Sequence, residues 1–338
     1  MSDKNNFPEG HMKKAIILHS DVPPNASEDE LDCLRQADTI AEALRELGYD
    51  PVLLPFVLDL NRTIEAMKTM QPEFVFNLVE TINGKGSLIH FAPSLLDYLN
   101  IPFTGCGTDA MFLTSNKPLT KEMMQSAGIA TPPWISSRGV YAGNAPSNTY
   151  LLKASWEDAS VGLDENSIFT LNDKTDVVAL MADRKKNIGG PCFAEAYIDG
   201  REFNMALIAG KSGVQALPPA EMQFIGYEPE KLKLLDYNAK WVEGTFEYEN
   251  TARTMDFSSE DDALIADLQD IAKRCWNLFG LRGYARVDFR IDKNGKPWVL
   301  EINANPCLSL EAGFAFAVER AGLKYSEAIA LIIADALR

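Results

Sequence analysis

Positive charge is what this chain is shortest of. Its 338 residues carry 32 Lys and Arg against 48 Asp and Glu, a net charge of −16. A nucleic-acid binder needs a basic footprint for the phosphate backbone, so that role is excluded. Histidine is scarce, with only His11, His19 and His90, and Cys33, Cys106, Cys192, Cys275 and Cys307 contain no Cys-x-x-Cys. There is therefore no zinc pattern, and scattered thiols of this kind read as free cysteines of a reducing cytoplasm. No apolar run approaches the ~20 residues of a membrane span, so no membrane partner is expected. Internal repeats and low-complexity segments are missing too. The first twelve residues lack the apolar core of a signal peptide. They end in His11-Met12, which reads as a cloning junction, so residues 1–12 are expected to be a disordered tag.

What is present is ordinary globular composition, 46% hydrophobic and 24% charged, in a chain long enough for two or three domains. A strand is expected at Lys14–Ser20, then a helix opened by the Ser27/Glu30 capping box and closed at Gly48. Strands at Pro51–Pro55 and Phe74–Val79 flank a helix at Asn61–Met70, which implies a small parallel sheet. A helix from about Ser87 to Leu99 and a short strand at Ile101–Phe103 follow. Gly105-Cys106-Gly107 imitates a dinucleotide fingerprint, but it comes some ninety residues after the first strand instead of directly behind it. That position excludes the fingerprint. Asp199-Gly200 reads as a hairpin turn, and helices are expected near Asp176–Lys186, Ser258–Phe279, Ala312–Ala321 and Ser326–Arg338.

The most informative stretch runs from Gly283 to Pro306. Two alternating runs flank Asn294-Gly295, the dipeptide that suits a two-residue type I′ turn. With that turn, Lys293 faces Lys296, Asp288 faces Glu301 and Arg286 faces Asn303. These four side chains then share one sheet face, while Val287, Phe289, Ile291, Trp298, Leu300 and Ile302 form the buried one. Two opposed carboxylates ~5 Å apart are unfavourable unless a cation stands between them. They are either two solvated acids or a metal pair. The Asn carbonyl and the Arg beside them favour the metal, and hard oxygen ligands with open positions suit Mg²⁺ bound to phosphates.

Lysines in apolar surroundings carry the next signal. Lys153 ends the apolar run Tyr150-Leu151-Leu152, and a buried ammonium is costly unless an anion meets it. The following loop, Ala154 to Gly162, could close over phosphates through its backbone amides. Lys117 and Lys121 occupy a helix ending near Gly128, where a solvated face is the simplest reading.

Together these segments resemble the ATP-grasp ligases, most closely the D-alanine–D-alanine ligases, over essentially Lys13 to Arg338. The resemblance rests on Arg286-x-Asp288, the Asn-Gly turn and Glu301-x-Asn303-x-x-Pro306, and on Lys153 with Glu157, Ser160 and Gly162 of the phosphate loop. It rests also on Glu195-Ala196-Tyr197-Ile198 with Glu202, and on Asp236-Tyr237-Asn238-Ala239-Lys240-Trp241. It implies an α/β (α+β) chain with the ATP-grasp fold. An N-terminal Rossmann-like parallel-sheet domain would span 13–114. A small central α+β domain would span 115–195, and a C-terminal α+β domain with an antiparallel sheet 196–338.

The implied cofactors are ATP and Mg²⁺ (or Mn²⁺), the metal on Asp288, Glu301 and Asn303. By the same resemblance Lys117 and Lys153 hold nucleotide phosphates and Glu195 accepts from the adenine amino group. Tyr197 and Ile198 offer backbone groups to the ring, and Glu202 holds the ribose. Lys240 reaches the transferred phosphate, Ser160 belongs to the catalytic loop, and Arg286 with the Cys307 amide stabilises an oxyanion. The implied reaction activates a carboxylate as an acyl phosphate and passes it to an amine, with no enzyme nucleophile. A cytoplasmic homodimer follows by analogy.

The departures fall on the substrate side. Ala159 and Trp241 stand where relatives close the first subsite with Ser and Tyr, and Ala312-Gly313 replaces a carboxylate-gripping Ser-Leu pair. Asn77 to Gly86 replaces the family's His-Gly-x-x-Gly-Glu-Asp-Gly segment. A carboxylate–amine ligase for amino-acid or peptide-like substrates other than two D-alanines is therefore the leading expectation. A D-alanine–D-alanine ligase and a nucleotide-binding regulatory protein without ligase activity are the alternatives.

Overall fold

A computed structural model describes residues 12–141, 147–156, 163–188, 190–228 and 231–338, so all but Met12 of the tag expected at 1–12 lies outside the described residues. Three parallel strands open the chain: β1 (Lys13–Ser20), β2 (Tyr49–Phe56) and β3 (Phe74–Leu78), ordered β2-β1-β3. Alternate residues of β1 feed opposite faces. Ala15 and Ile17 pack with Ala37, Ile40 and Leu44 of helix α1 (Glu28–Glu46). Ile16 and Leu18 pack with Met67 of α2 (Leu60–Met70) and with Leu95 and Leu96 of α3 (Phe91–Leu99). The capping box that opens α1 is formed, the Ser27 amide donating to Glu30 at 2.9 Å. Two boundaries differ from expectation. The run from Gly86 to Leu88 is a 3₁₀ turn ahead of α3. Ile101–Phe103 contributes a single bridge to Val75 instead of a strand, since Pro102 has no N–H for a ladder.

Helices α4 (Thr108–Ser115) and α5 (Lys117–Ser126) lead into a five-stranded antiparallel sheet ordered β5-β4-β8-β6-β7. Its strands are β4 (Trp134–Ser136), β5 (Gly139–Tyr141), β6 (Thr149–Ala154), β7 (Ile168–Thr170) and β8 (Cys192–Ala196), backed by α6 (Val177–Ile188). A third sheet, ordered β12-β11-β9-β13-β14 with β10 beside β9, is antiparallel throughout. It contains β9 (Gly200–Gly210), β10 (Gly213–Ala216), β11 (Ala220–Phe224), β12 (Thr251–Thr254), β13 (Tyr284–Asp292) and β14 (Pro297–Asn303). Short helices α7 (Tyr237–Trp241) and α8 (Phe246–Glu249) precede β12, α9 (Asp262–Phe279) backs the sheet, and α10 (Gly313–Arg320) and α11 (Tyr325–Ala336) end the chain. This is the ATP-grasp arrangement, two antiparallel sheets after a parallel one. No helix among the described residues is long and apolar enough to cross a membrane. All five cysteines are unbridged.

Asp199-Gly200 is not a hairpin turn. β8 and β9 belong to different sheets, so the dipeptide carries the chain between them. Glycine is there for proximity, because a β-carbon at Gly200 would fall 1.8 Å from the Ile291 carbonyl oxygen.

The glycine at 105 has a structural explanation of the same kind. Gly283 has φ +67, and a β-carbon on it would lie 2.9 Å from Gly105 Cα and N. The Arg282 side chain donates to the Gly105 carbonyl at 2.9 Å. Two glycine backbones thus meet where the N-terminal part rests on the start of β13. Gly283→Ala should cost roughly 2–4 kcal/mol, since left-handed strain adds to a forced backbone shift. Gly48→Ala, at φ +83 in open space, should cost only roughly 1 kcal/mol. Urea unfolding followed by tryptophan fluorescence compares them; equal midpoints would show that the close approach carries no strain.

Candidate active site

The register that matters is present: Arg286 pairs with Asn303, Val287 with Ile302 and Asp288 with Glu301. It is reached by a different route from the expected one. The loop has three residues, Lys293, Asn294 and Gly295, closed by the Asp292 amide donating to the Lys296 carbonyl at 3.0 Å. Only Gly295 among them has positive φ, +79. Asp292 clamps the loop, accepting from the amides of Asn294 and Lys296 and from the Trp298 indole. Pairing beside the loop is therefore shifted by one residue, with Ile291 opposite Pro297 and Phe289 opposite Val299. A bulge at Leu300 takes the shift back before the acids, so the two offsets cancel.

The buried face changes accordingly. Val299, 1% exposed, joins the core, whereas Leu300 lines the cleft and Trp298 shares a face with Arg290. The bulge has a local cause. The Val299 amide donates to the Ala130 carbonyl at 2.8 Å and its carbonyl accepts from Thr131 Oγ1 at 2.8 Å, so the outer edge of β14 is taken by the segment entering β4.

Neither acid faces the other without a cation. Asp288 accepts from Arg286 Nε and Nη2, both at 2.8 Å, and from Asn204 Nδ2 at 2.8 Å. Glu301 lies 3.6 Å from Lys117 Nζ. Burial opposes its charge, but Lys117, Lys153, Lys240 and Arg286 outweigh it and hold its pKa far below the usual carboxylate range. Asn303 presents its carbonyl oxygen on the same face, accepting there from the Asn305 amide at 3.0 Å. Two carboxylates and an amide oxygen, with no nitrogen or sulfur donor in the set, fit Mg²⁺ or Mn²⁺.

The opposite wall is built on Glu195. Lys153, at the end of β6, reaches it at 3.0 Å, and Lys121 reaches it at 2.5 Å from α5. Asn116 caps α5 by accepting from the Leu119 amide, and the Lys117 amide donates to the Ser155 carbonyl. That puts Lys117 into the cleft and Lys121, one helical turn on, behind Glu195. They are 6% and 1% exposed, so the solvated-face reading is overturned for both. Burial lowers the pKa of Lys121. At Lys153 burial is outweighed by Glu195 and Glu301, and the pKa rises. For Glu195 the burial penalty yields to Lys121 and Lys153, and its pKa falls.

Sequence reasoning passed over three of these groups. Lys121 is legible as the i+4 neighbour of Lys117. Arg290 follows Asp288 by two residues on the same face and pairs with Glu202 at 2.7 Å. Asn204, opposite Asp288 on β9, carries no local signal, because only the β9–β13 register brings it there. Tyr197 and Ile198 line the cleft as expected. The Tyr197 amide is already given to the Thr149 carbonyl, and its own carbonyl accepts from Ser147 Oγ. Ser160 and its neighbours Glu157, Ala159 and Gly162 lie outside the described residues.

Lys240 stands on α7, which Asp236 caps through the Ala239 amide at 2.9 Å. Burial lowers its pKa against the pull of Glu301. Lys240 and Glu301 line the nucleotide-side cleft and also a second cavity of about 1090 Å³. Trp241, Ala312, Gly313 and the segment from Glu80 to Gly86 all line that second cavity, as do Asp21, Glu28, Glu30 and Asp32. Cys307 lines it too, but its thiol donates to Asp32 at 2.9 Å, and burial with Glu80 and Asp32 pushes its pKa up. A thiol held protonated is no nucleophile.

Such a nucleotide-side cleft is the one that the resemblance to the ATP-grasp ligases implied. The family model described as the D-ala D-ala ligase C-terminus matches residues 123–334. The chain belongs to that family. A protein of Sinorhizobium fredii described as uncharacterized protein y4sG is 30% identical over 87% of this chain and 85% of its own. The D-alanine–D-alanine ligase of Aquifex aeolicus is 28% identical over 91% of this chain and 96% of that one. Among solved structures, the D-alanine–D-alanine ligase of Bacillus anthracis complexed with ATP superposes with a TM-score of 0.71 at 19% identity, covering 97% of this chain and 98% of that one. The VanG D-Ala:D-Ser ligase of Enterococcus faecalis gives 0.69 at 16% identity, over 96% and 100%.

Glu301→Gln should abolish Mg²⁺-dependent nucleotide turnover while leaving the far-ultraviolet dichroism unchanged; retained turnover would refute the site. Because the folded-state pKa of Glu301 is depressed, its charge stabilises the fold above the ordinary value of ~4.3 and that contribution is lost as pH falls. The stability gap between wild type and Glu301→Gln should be widest at neutral pH and close in acid.

Proposed function

We propose that the protein uses ATP and Mg²⁺ to join a carboxylate to an amine, acting on amino-acid or peptide-like substrates other than a pair of D-alanines. The supporting observation is that two differently built cavities meet at Lys240 and Glu301. One is lined by the nucleotide motifs intact, the other by the residues that depart from the family pattern.

On this reading Lys117, Lys153 and Lys240 offset charge on the phosphates, and the Lys121–Glu195 pair holds the back of the cleft. Ile198 takes the hinge role at the adenine, because the Tyr197 backbone is engaged elsewhere. Glu202, positioned by Arg290, holds the ribose. Asp288, Glu301 and Asn303 would hold Mg²⁺ or Mn²⁺, which supplies charge neutralisation across the phosphates. The substrate carboxylate takes the terminal phosphoryl group, ADP leaves, and the amine attacks the acyl carbon with loss of phosphate. Arg286, fixed by Asp288, stabilises the oxyanion of that step.

The wide, acid-rich acceptor cavity weighs against two small D-alanines, and the complete lysine and acid set weighs against a purely regulatory nucleotide binder. We place domain boundaries near 13–114, 115–195 and 196–338, with β8 carrying the second to Ala196. A cytoplasmic homodimer completes the reading, and sedimentation would give its mass.

Phosphate release from Mg-ATP over a panel of amino acids and dipeptides tests the substrates. Turnover with partners other than D-alanine is expected, and robust D-alanyl-D-alanine formation would overturn the reading.

A further inference from the structure

Three arginines line the acceptor cavity, and they are not equivalent. Arg35 is paired with Glu28 and Asp32 at 3.3 Å each. Arg286 grips Asp288 with two nitrogens of its fork. Arg253, on the edge strand β12, makes no ion pair or hydrogen bond among the described residues. Packing alone holds it. Its guanidinium lies 4.9 Å from the Phe316 ring centre. It also lies flat on Gly313, where Nη2, Cζ and Nε are 3.7, 3.8 and 3.9 Å from the place a β-carbon would take.

Its surroundings add positive charge. Burial and the nearby Arg286 pull its pKa down. Gly313 begins α10, so the positive pole of that helix lies against the same guanidinium, and the N-cap there is Ala312, with no side-chain oxygen to offer. Arg253 stays open to solvent on the cavity side, so this positive potential is available to an anion that enters. Of the other cations lining this cavity, Lys240 also lines the nucleotide-side cleft, and Lys85 closes an exposed turn.

The chemistry of the site says which anion comes. An amide ligase for amino-acid substrates admits two carboxylates. One is activated between Lys240 and Arg286; the other belongs to the amine-bearing partner and survives in the product. We propose that Arg253 anchors this second carboxylate, so that the acceptor is an amino acid or a peptide with a free C-terminus and not a simple amine. This rests on the ligase reading. A planar guanidinium suits the task, since it can donate two parallel hydrogen bonds to a carboxylate.

The test compares wild type, Arg253→Ala and Arg253→Lys, with Mg-ATP and acceptors supplied in pairs, each as the free acid and as its carboxamide. Wild type should prefer the acids. Arg253→Ala should raise the KM for the acid acceptors about 10-fold or more, with kcat and the KM for ATP little changed. The carboxamides should be unaffected, so that the preference disappears, and Arg253→Lys should restore part of it. An unchanged preference, or equal losses on acids and amides, would overturn the proposal. If wild type turns over no pair, calorimetric titration of the same compounds into the protein with Mg²⁺ and a non-hydrolysable ATP analogue decides. Acid-selective binding that Arg253→Ala abolishes upholds the anchor, and the lack of any acid-selective binding refutes it. Failure of the Mg-nucleotide itself to bind overturns the ligase reading instead.

Discussion

Glu301 and Glu195 keep a cluster of cations charged inside the protein, and the remainder of the site is arranged around that constraint. Lys117, Lys121, Lys153 and Lys240 converge from one helix, a strand and the short helix after Asp236. Each would pay a desolvation penalty that could neutralise it. Two carboxylates, held ionised by the surrounding lysines, outweigh that cost at Lys153 and reduce it at Lys121 and Lys240, whose pKa values still fall. Charge is thereby stored in a molecule whose overall balance is −16. A triphosphate entering the cleft exchanges one set of anionic partners for another instead of creating ion pairs from solvated side chains.

The same arrangement explains why the site straddles elements. Lysines come from α5 and β6, the acids from β13 and β14, and the hinge from the passage between β8 and β9. No single sheet could surround a nucleotide, so the two antiparallel sheets supply opposite walls. Glycine stands where backbones touch around these sheets: Gly200 against Ile291 within the larger one, and Gly283 against Gly105 where the N-terminal part meets it. Beyond Lys240 and Glu301 the cavity widens and its wall turns acidic, with Arg253 near Arg286 as a patch of the other sign. On the proposed reading, nucleotide chemistry and substrate choice are carried by adjoining but separate surfaces, which lets one vary while the other stays.

Much of this was legible from local pattern. Alternation in β13 and β14 put Asp288, Glu301, Arg286 and Asn303 on one face, and they share it. The Ser27 box opened α1, and the apolar run before Lys153 marked a cation that is partly buried against Glu195. Where the reading went wrong, a distant partner was responsible. The Asn294-Gly295 dipeptide suggested a two-residue turn, but Asp292 closes a three-residue one, and the docking of Ala130 and Thr131 on Val299 returns the register. Asp199-Gly200 looked like a turn because glycine marks turns and close approaches alike.

By itself, the order of residue types determined the kind of chemistry: oxygen donors at period two, lysines ending apolar runs, capped short helices, and no nucleophile–base pair. Those features depend on neighbours within a few positions, whose geometry the backbone dictates. Tertiary structure alone decided that Lys121 joins Lys153 on one carboxylate, that Asn204 backs Asp288, and that Arg253 comes to rest on Gly313 without a counter-ion. Each of those depends on strand registers and helix packing between segments dozens of residues apart, which are set by the burial of whole faces and leave no mark at the residues themselves.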